Sequence, residues 1–165
     1  MSAFCFALAA EIGLFAHMSL RIGVIADTHN HYPKKLLYHL TPADEIWHLG
    51  DVCDPQILVA FEQLRRPIRI VLGNNDDHPA WPETLDLVRN GVRFHLVHVP
   101  PLHPPLKCDV LMHGHTHAPR NEMLGGVRWL NPGCISRPNC GWPPSFAWLF
   151  FPDETRTFEW EIVPL

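Results

Sequence analysis

Asp27 and His29 in DTHN, Asp51 in GDVCD, Asn74 and Asp76 in GNND, His98 alone, and His115 and His117 in GHTH are the residues whose types and spacing could do chemistry. Neutral imidazole is the commonest metal ligand among side chains. Carboxylate, imidazole and amide oxygen together suit divalent ions such as Mn2+, Fe2+, Ni2+ or Zn2+. Taken singly, each motif has a bland reading. Asp27 equally caps the next helix, Gly50-Asp51 is a common turn, and Gly73-Asn74-Asn75-Asp76 is a tight turn. Alternation along an extended chain would put Asp27 and His29 on one side. His115-Thr116-His117 is the most pointed motif, because imidazoles two residues apart can face one centre. As an ordered set the motifs are far less ambiguous, since each follows an apolar run.

Those runs set the elements that must position the ligands. Leu20 to Ala26, Glu45 to Leu49 and Ile68 to Leu72 are short and apolar, and each ends at a polar cluster, which predicts buried strands. Pro33 to Leu40 and Pro55 to Leu64 have helical spacing, with Asp54 as N-cap and Pro55 at the first helical position. The first half therefore alternates β, loop and α. Open α/β sheets place ligands at the carboxyl ends of their strands. Val92 to Val97 and Val110 to Met112 predict further strands, and Val127 to Leu130, Phe146 to Phe150 and Thr157 to Ile162 an all-β tail. Pro100 to Pro105 cannot be an ordinary helix. Gly50, Gly73 and Gly114 suit the tight turns before the ligands.

Composition bounds the function. A chain of 165 residues is one domain by default. It is 47% hydrophobic and 18% charged, a globular balance. A formal charge of -4 argues against nucleic-acid binding through a basic face. No apolar stretch is long enough to span a membrane. The cysteines form no CxxC pair and are odd in number, so the reading is free thiols in a reducing cytoplasm. Twelve histidines nearly equal all Lys plus Arg, a first pointer to metal chemistry. Residues 1–17 lack the basic start of a secretory signal. They read as a start codon placed too early, an amphipathic helix or a weak export signal. The first is preferred, because a strand follows Met18 at once. The expected organisation is an extension over 1–17 and one domain over 18–165.

DTHN, GDVCD, GNND, His98, GHTHAP and NPGC in this order resemble the calcineurin-like metallophosphoesterases, and among them the small YfcE-like phosphodiesterases, over Leu20 to Leu165. The resemblance implies an α/β fold, a two-sheet β-sandwich flanked by helices, here with reduced helical cover in the second half. It implies two divalent metal ions, Mn2+ first among the options. Asp27, His29 and His117 would bind one and Asn74, His98 and His115 the other, with Asp51 bridging. A carboxylate can join two cations roughly 3.5–4 Å apart. The implied reaction is in-line attack of a metal-bridging hydroxide on a small phosphodiester, with a phosphomonoester the other option. Asp51, Asn74, Asp76 and His98 would carry catalysis, Asp76 by orienting a ligand histidine through its second nitrogen. Asn30, His78 and Arg137 are candidate substrate contacts. The bland reading of His78 is a solvated loop residue. A homodimer is a further option.

The chain departs from that pattern in three places. Val97-His98-Val99-Pro100 stands where the family usually has Thr-His-Gly-His, so a second histidine is missing. The Pro-rich link replaces the usual helix, and His103 is a candidate to refill that wall. NPGCISRPN stands for a motif resembling N-P-G-S-x-x-x-P-R, with Cys134 for Ser and Asn139 for Arg, and Arg137 as a substitute. The remaining histidines, His48 and His113 among them, read mostly as core or edge residues with satisfied hydrogen bonds. Trp47, Trp129 and Trp148 read as core. The alternative to an enzyme is a scaffold of the same fold, resembling the metallophosphoesterase-like subunit of retromer. Intact candidate ligands count against it.

Overall fold

The computed structural model describes residues 19–165, so the extension over 1–17 falls outside the described residues. The apolar runs form strands: β1 (Leu20–Ile25), β2 (Glu45–His48), β3 (Ile68–Ile70), β5 (Val92–Val97), β6 (Val110–Met112), β8 (Val127–Asn131), β9 (Ser145–Phe151) and β10 (Glu159–Pro164). Two more strands were not expected from hydrophobicity: β4 (Thr84–Arg89) and β7 (Arg120–Leu124). Helix α1 (Lys35–Leu40) starts two residues after the expected Pro33. The second expected helix is a 3-10 turn over Pro55–Leu58 followed by α2 (Val59–Glu62). Its cap is as expected: Asp54 is extended, and its carboxylate accepts the Gln56 N–H at 2.9 Å.

The strands make two five-stranded mixed sheets, ordered β10-β9-β1-β2-β3 and β4-β5-β6-β8-β7. In the first sheet β1, β2 and β3 run parallel. In the second β5, β6 and β8 run parallel. β4 and β7 are antiparallel edge strands, hairpinned to β5 and β8. The main core lies between the sheets: Ile22, Val24, Trp47 and Leu49 meet Phe94, Leu96, Val110 and Met112. Trp47 and Phe94 pack edge to face at 5.2 Å between centroids. A second core joins the helices to the outer face of the first sheet through Leu36, Leu40, Phe61, Ile46 and Phe146. Among the described residues, a third, smaller cluster lies on the second sheet: Leu111, Val127 and Trp129 with Val97 and Cys108 against them. That is the reduced helical cover expected of the second half. The Pro-rich link contains no helix.

Candidate metal centre

Parallel strands deliver their carboxyl ends to one edge, and both sheets contribute to it. Asp27 and His29 follow β1, Asp51 follows β2, and Asn74 follows β3. From the second sheet, His98 directly follows β5, and His115 and His117 follow β6. Asp27, Asp51 and His98 are essentially buried, whereas Asn74 and His115 are exposed. All seven side chains converge. His117 Nε2 lies 3.3 Å from Asp27 Oδ1 and 3.3 Å from His29 Nε2. Asp51 Oδ2 lies 3.7 Å from His29 Nε2 and 3.3 Å from His98 Nε2, central to the group. Asn74 Oδ1 lies 3.0 Å from His98 Nε2 and 2.8 Å from His115 Nδ1.

Alternation along a strand does not produce this convergence. The backbone turns left-handed at Asp27 (φ 56), His29 (φ 42), Asp51 (φ 57), His115 (φ 65) and His117 (φ 56). Such values are uncommon outside glycine and cluster at functional sites. The expectation that extended geometry aligns Asp27 with His29 is therefore corrected. Of the three turn glycines, Gly50 has positive φ (+89), while Gly73 is needed for space. A Cβ on Gly73 would collide with the Asp51 backbone nitrogen and carboxylate.

A ring of supporting groups holds the turns. Asp76 does not orient a histidine as expected. Its carboxylate accepts the backbone N–H groups of Asp51 at 2.9 Å, Cys53 at 2.7 Å and Gly73 at 2.7 Å. Asp76 thus ties the loop after β2 to the loop after β3. The histidines are oriented by backbone instead. His98 Nδ1 donates to the Leu49 carbonyl at 2.7 Å and His117 Nδ1 to the Arg137 carbonyl at 2.6 Å. Two supports were missed in the sequence. Asn75 donates its side-chain N–H to Asp51 Oδ2 at 2.7 Å and its backbone N–H to Oδ1 at 2.9 Å. Buried Asn131 donates to the Gly114 carbonyl at 3.0 Å and Thr116 Oγ1 at 3.1 Å, bracing the GHTH turn. Asn131 opens the NPGC motif, which was the available signal; Asn75 had none beyond its place in GNND. Cys134 and Ser136 both donate to the Asp27 carbonyl, at 3.3 and 3.0 Å.

The donor set fits divalent cations. A carbonyl can only accept, so Nδ1 carries the hydrogen in His98 and His117. When these rings are neutral, their Nε2 atoms present lone pairs to the facing oxygens of Asp51 and Asp27. Oxygen and nitrogen lone pairs meeting in a buried space repel unless a positive charge lies among them. The ionisation equilibria show the same demand. Burial pushes the Asp27 carboxyl up to about 6, against the pull of His98 and His117. Burial also opposes charge on Asp51 and His98. Hydrogen bonds and opposite charges together outweigh it, from His98 and Asn75 on Asp51 and from Asp51, Leu49 and Asp27 on His98, lowering Asp51 and raising His98, so that in the metal-free centre a proton on Nε2 meets the demand for positive charge. Asp27, His29 and His117 form one candidate metal group, and Asp27, Asp51 and His98 a second.

The expected substrate contacts stand at the margin. Asn30 uses its side-chain carbonyl to accept the Asp54 N–H at 2.6 Å. His78 stacks on Trp81 at 4.3 Å, with its Nδ1 buried and unpartnered, and does not join the cluster. Exposed Arg137 reaches His117 through its backbone. His103 is exposed. His48 and His113 are buried and hydrogen-bonded, as their bland reading held.

Residues 20–153 match the family model described as the calcineurin-like phosphoesterase superfamily domain. The chain belongs to that superfamily. Its family is a divalent-metal-dependent class of hydrolases. A probable metallophosphoesterase of Methanocaldococcus jannaschii is 29% identical over 139 residues, covering 74% of this chain and 71% of that protein. The phosphodiesterase YfcE of Escherichia coli is 46% identical over 41 residues, 25% of this chain and 22% of its own. A solved YfcE structure superposes with a TM-score of 0.69 at 24% identity, covering 79% of this chain and 88% of that one. Vps29 from Entamoeba histolytica, solved with Zn2+, superposes with a TM-score of 0.71 at 22% identity, over 87% and 98% of the two chains. Both superpositions share the two-sheet fold found here.

Proposed function

We propose that this superfamily member hydrolyses a small phosphodiester at a two-metal centre, with Mn2+ the first choice of ion. The observation that carries the reading is the convergence of seven donors from two different sheets on one spot. Asp27, His29 and His117 would hold one cation, and Asn74, His98 and His115 the other. Asp51 would serve both, its Oδ2 lying 3.7 Å from His29 Nε2 and 3.3 Å from His98 Nε2. Bound there, the cations supply an activated water and neutralise charge on the phosphoryl oxygens. The chain's own part is positional. Asn75 fixes both oxygens of Asp51, the carbonyls of Leu49 and Arg137 fix two imidazoles, and Asp76 locks the loops. The neutral amide of Asn74 keeps negative charge low on its side of the pair.

Phosphodiesterase-named relatives support the diester over the monoester. Among the described residues no helix is long and apolar enough to cross a membrane, consistent with a cytoplasmic enzyme. Likeness to Vps29 at 22% identity carries the fold alone and gives a scaffold role no separate support. The test is a metal-reconstituted panel of aryl diesters, monoesters and cyclic nucleotides, with metal content measured beside turnover. Diester hydrolysis stimulated by Mn2+ is expected, falling more than about 100-fold in Asp51→Asn and His115→Ala. Full activity in those variants overturns the two-metal assignment.

A further inference from the structure

A cleft of about 440 Å3 opens beside the metal centre, with Asn74 and His98 among its lining residues. Ligand pockets fall in the range of roughly 300–1,000 Å3. Its apolar lining is Leu72, Val97 and Val99, and exposed Glu83 and Thr84 line it too. The chain has Val99-Pro100 where the family run ends Gly-His, so this wall is apolar where that pattern is polar. No Lys or Arg lines the cleft. Both oxygens of the lining Asp76 are engaged by backbone N–H groups. Glu83 is exposed and makes no hydrogen bond or ion pair among the described residues. The cleft therefore offers a ligand hydrocarbon walls, one hydroxyl and one uncommitted negative charge.

The geometry points to this cleft as the seat of one ester arm of the substrate, with Glu83 as the residue that selects an uncharged, apolar or aromatic arm over one bearing a second anion. The inference rests on the phosphodiesterase reading and narrows its substrate class. Two effects act in the same direction. An arm carrying a carboxylate or phosphate must desolvate against Leu72, Val97 and Val99 with no Lys or Arg in the lining to receive it. It must also approach the Glu83 carboxylate, a like charge. An aryl or nucleoside-like arm meets neither cost and buries apolar surface.

Two symmetric diesters separate the cases, because one arm occupies the cleft whichever arm leaves. Diphenyl phosphate and bis(4-carboxyphenyl) phosphate are compared on the Mn2+-loaded protein at pH 7.5. Dissociation constants come from calorimetry and kcat/KM from chromatography of the released phenol. The wild type is expected to prefer the diphenyl ester about ten-fold in both Kd and kcat/KM. Glu83→Gln should shrink that ratio to about three-fold, and Glu83→Lys should abolish or invert it. Glu154→Lys changes net charge equally at the other end of the sandwich, beside Leu20, and should leave the ratio as in wild type. Equal handling of the two esters by wild type overturns the proposal, as does an equal response to Glu83→Lys and Glu154→Lys. Discrimination in Kd without turnover of either ester sinks the phosphodiesterase reading while the selective cleft stands.

Discussion

At the scale of single residues, the centre is built against local conformational preference. Asp27, His29, Asp51, His115 and His117 all have positive φ. An L-residue in the left-handed region costs roughly 1–2 kcal/mol relative to glycine. The comparison of two variants at one exposed position isolates that cost. His115→Gly and His115→Ala both remove the imidazole, yet only glycine accepts φ 65 without penalty. The glycine variant is expected to be about 1 kcal/mol more stable than the alanine variant in urea denaturation of the metal-free protein. The reverse order would show that the turn relaxes on mutation. Asp76 is the counterpart that opposes this strain. Its carboxylate satisfies three backbone N–H groups across two loops. Asp76→Ala leaves them without their acceptor, and a loss of about 3 kcal/mol is expected. Activity should fall at least about ten-fold with it, as for other groups that orient ligands. An unchanged midpoint and turnover would mean that water replaces the carboxylate.

At the scale of elements, β2 ends in a histidine that is not a ligand but holds the strand's carboxyl end in place. His48 is fully buried, facing Thr28 Oγ1 through Nε2 at 3.1 Å and accepting the Gly50 N–H at Nδ1 at 3.2 Å. Burial pushes it down to about 3, from an ordinary value of 6.5. The unfolded chain therefore binds a proton in a range where the folded one does not. Stability contributed by neutral His48 is complete above pH 6.5 and is lost as pH falls towards 3. The slope is about 1.4 kcal/mol per pH unit, so roughly 2 kcal/mol should vanish between pH 6.5 and 5. His48→Gln should flatten that part of the curve, read by denaturant midpoints of metal-free protein at fixed ionic strength. An unaltered slope assigns the dependence elsewhere. The strands themselves were legible wherever burial made them apolar. β4 and β7 were not, because edge strands expose polar faces, as TLDLVR and RNEML do. Their usable signals were two-residue turns, Asn90-Gly91 and Gly125-Gly126, all four residues having positive φ. The ligand types were legible from motif order. The means of convergence was not, since periodicity carries no information about left-handed turns beyond a strand end, and Asp76's real partners are backbone atoms that no motif names.

At the scale of the whole molecule, the centre joins two layers that otherwise meet through hydrocarbon. Asp27, His29, Asp51 and Asn74 come from the first sheet, and His98, His115 and His117 from the second. Each proposed cation therefore draws ligands from both sheets, and its binding free energy adds to the cohesion of the sandwich. A ligand that binds only the folded state adds about 2.7 kcal/mol at one hundred times its Kd. For a domain of this size that is a rise of roughly 5–10 °C per ion. Scanning calorimetry of EDTA-treated protein titrated with Mn2+ should show this rise in two increments if two ions bind. The bridging role proposed for Asp51 makes a sharper demand. Burial and the neighbouring Asp51 charge both raise Asp27, so the metal-free pair is mutually unfavourable. Asp51→Asn relieves that repulsion but keeps only one of the two oxygens that the Asn75 donors use, and it loses the charge facing His98. Its metal-free Tm should therefore fall by several degrees, since the fold favours the ionised carboxyl, while most of the Mn2+-dependent rise disappears from both increments together. Loss of one increment with the other intact would place Asp51 on a single ion and remove it from the bridge.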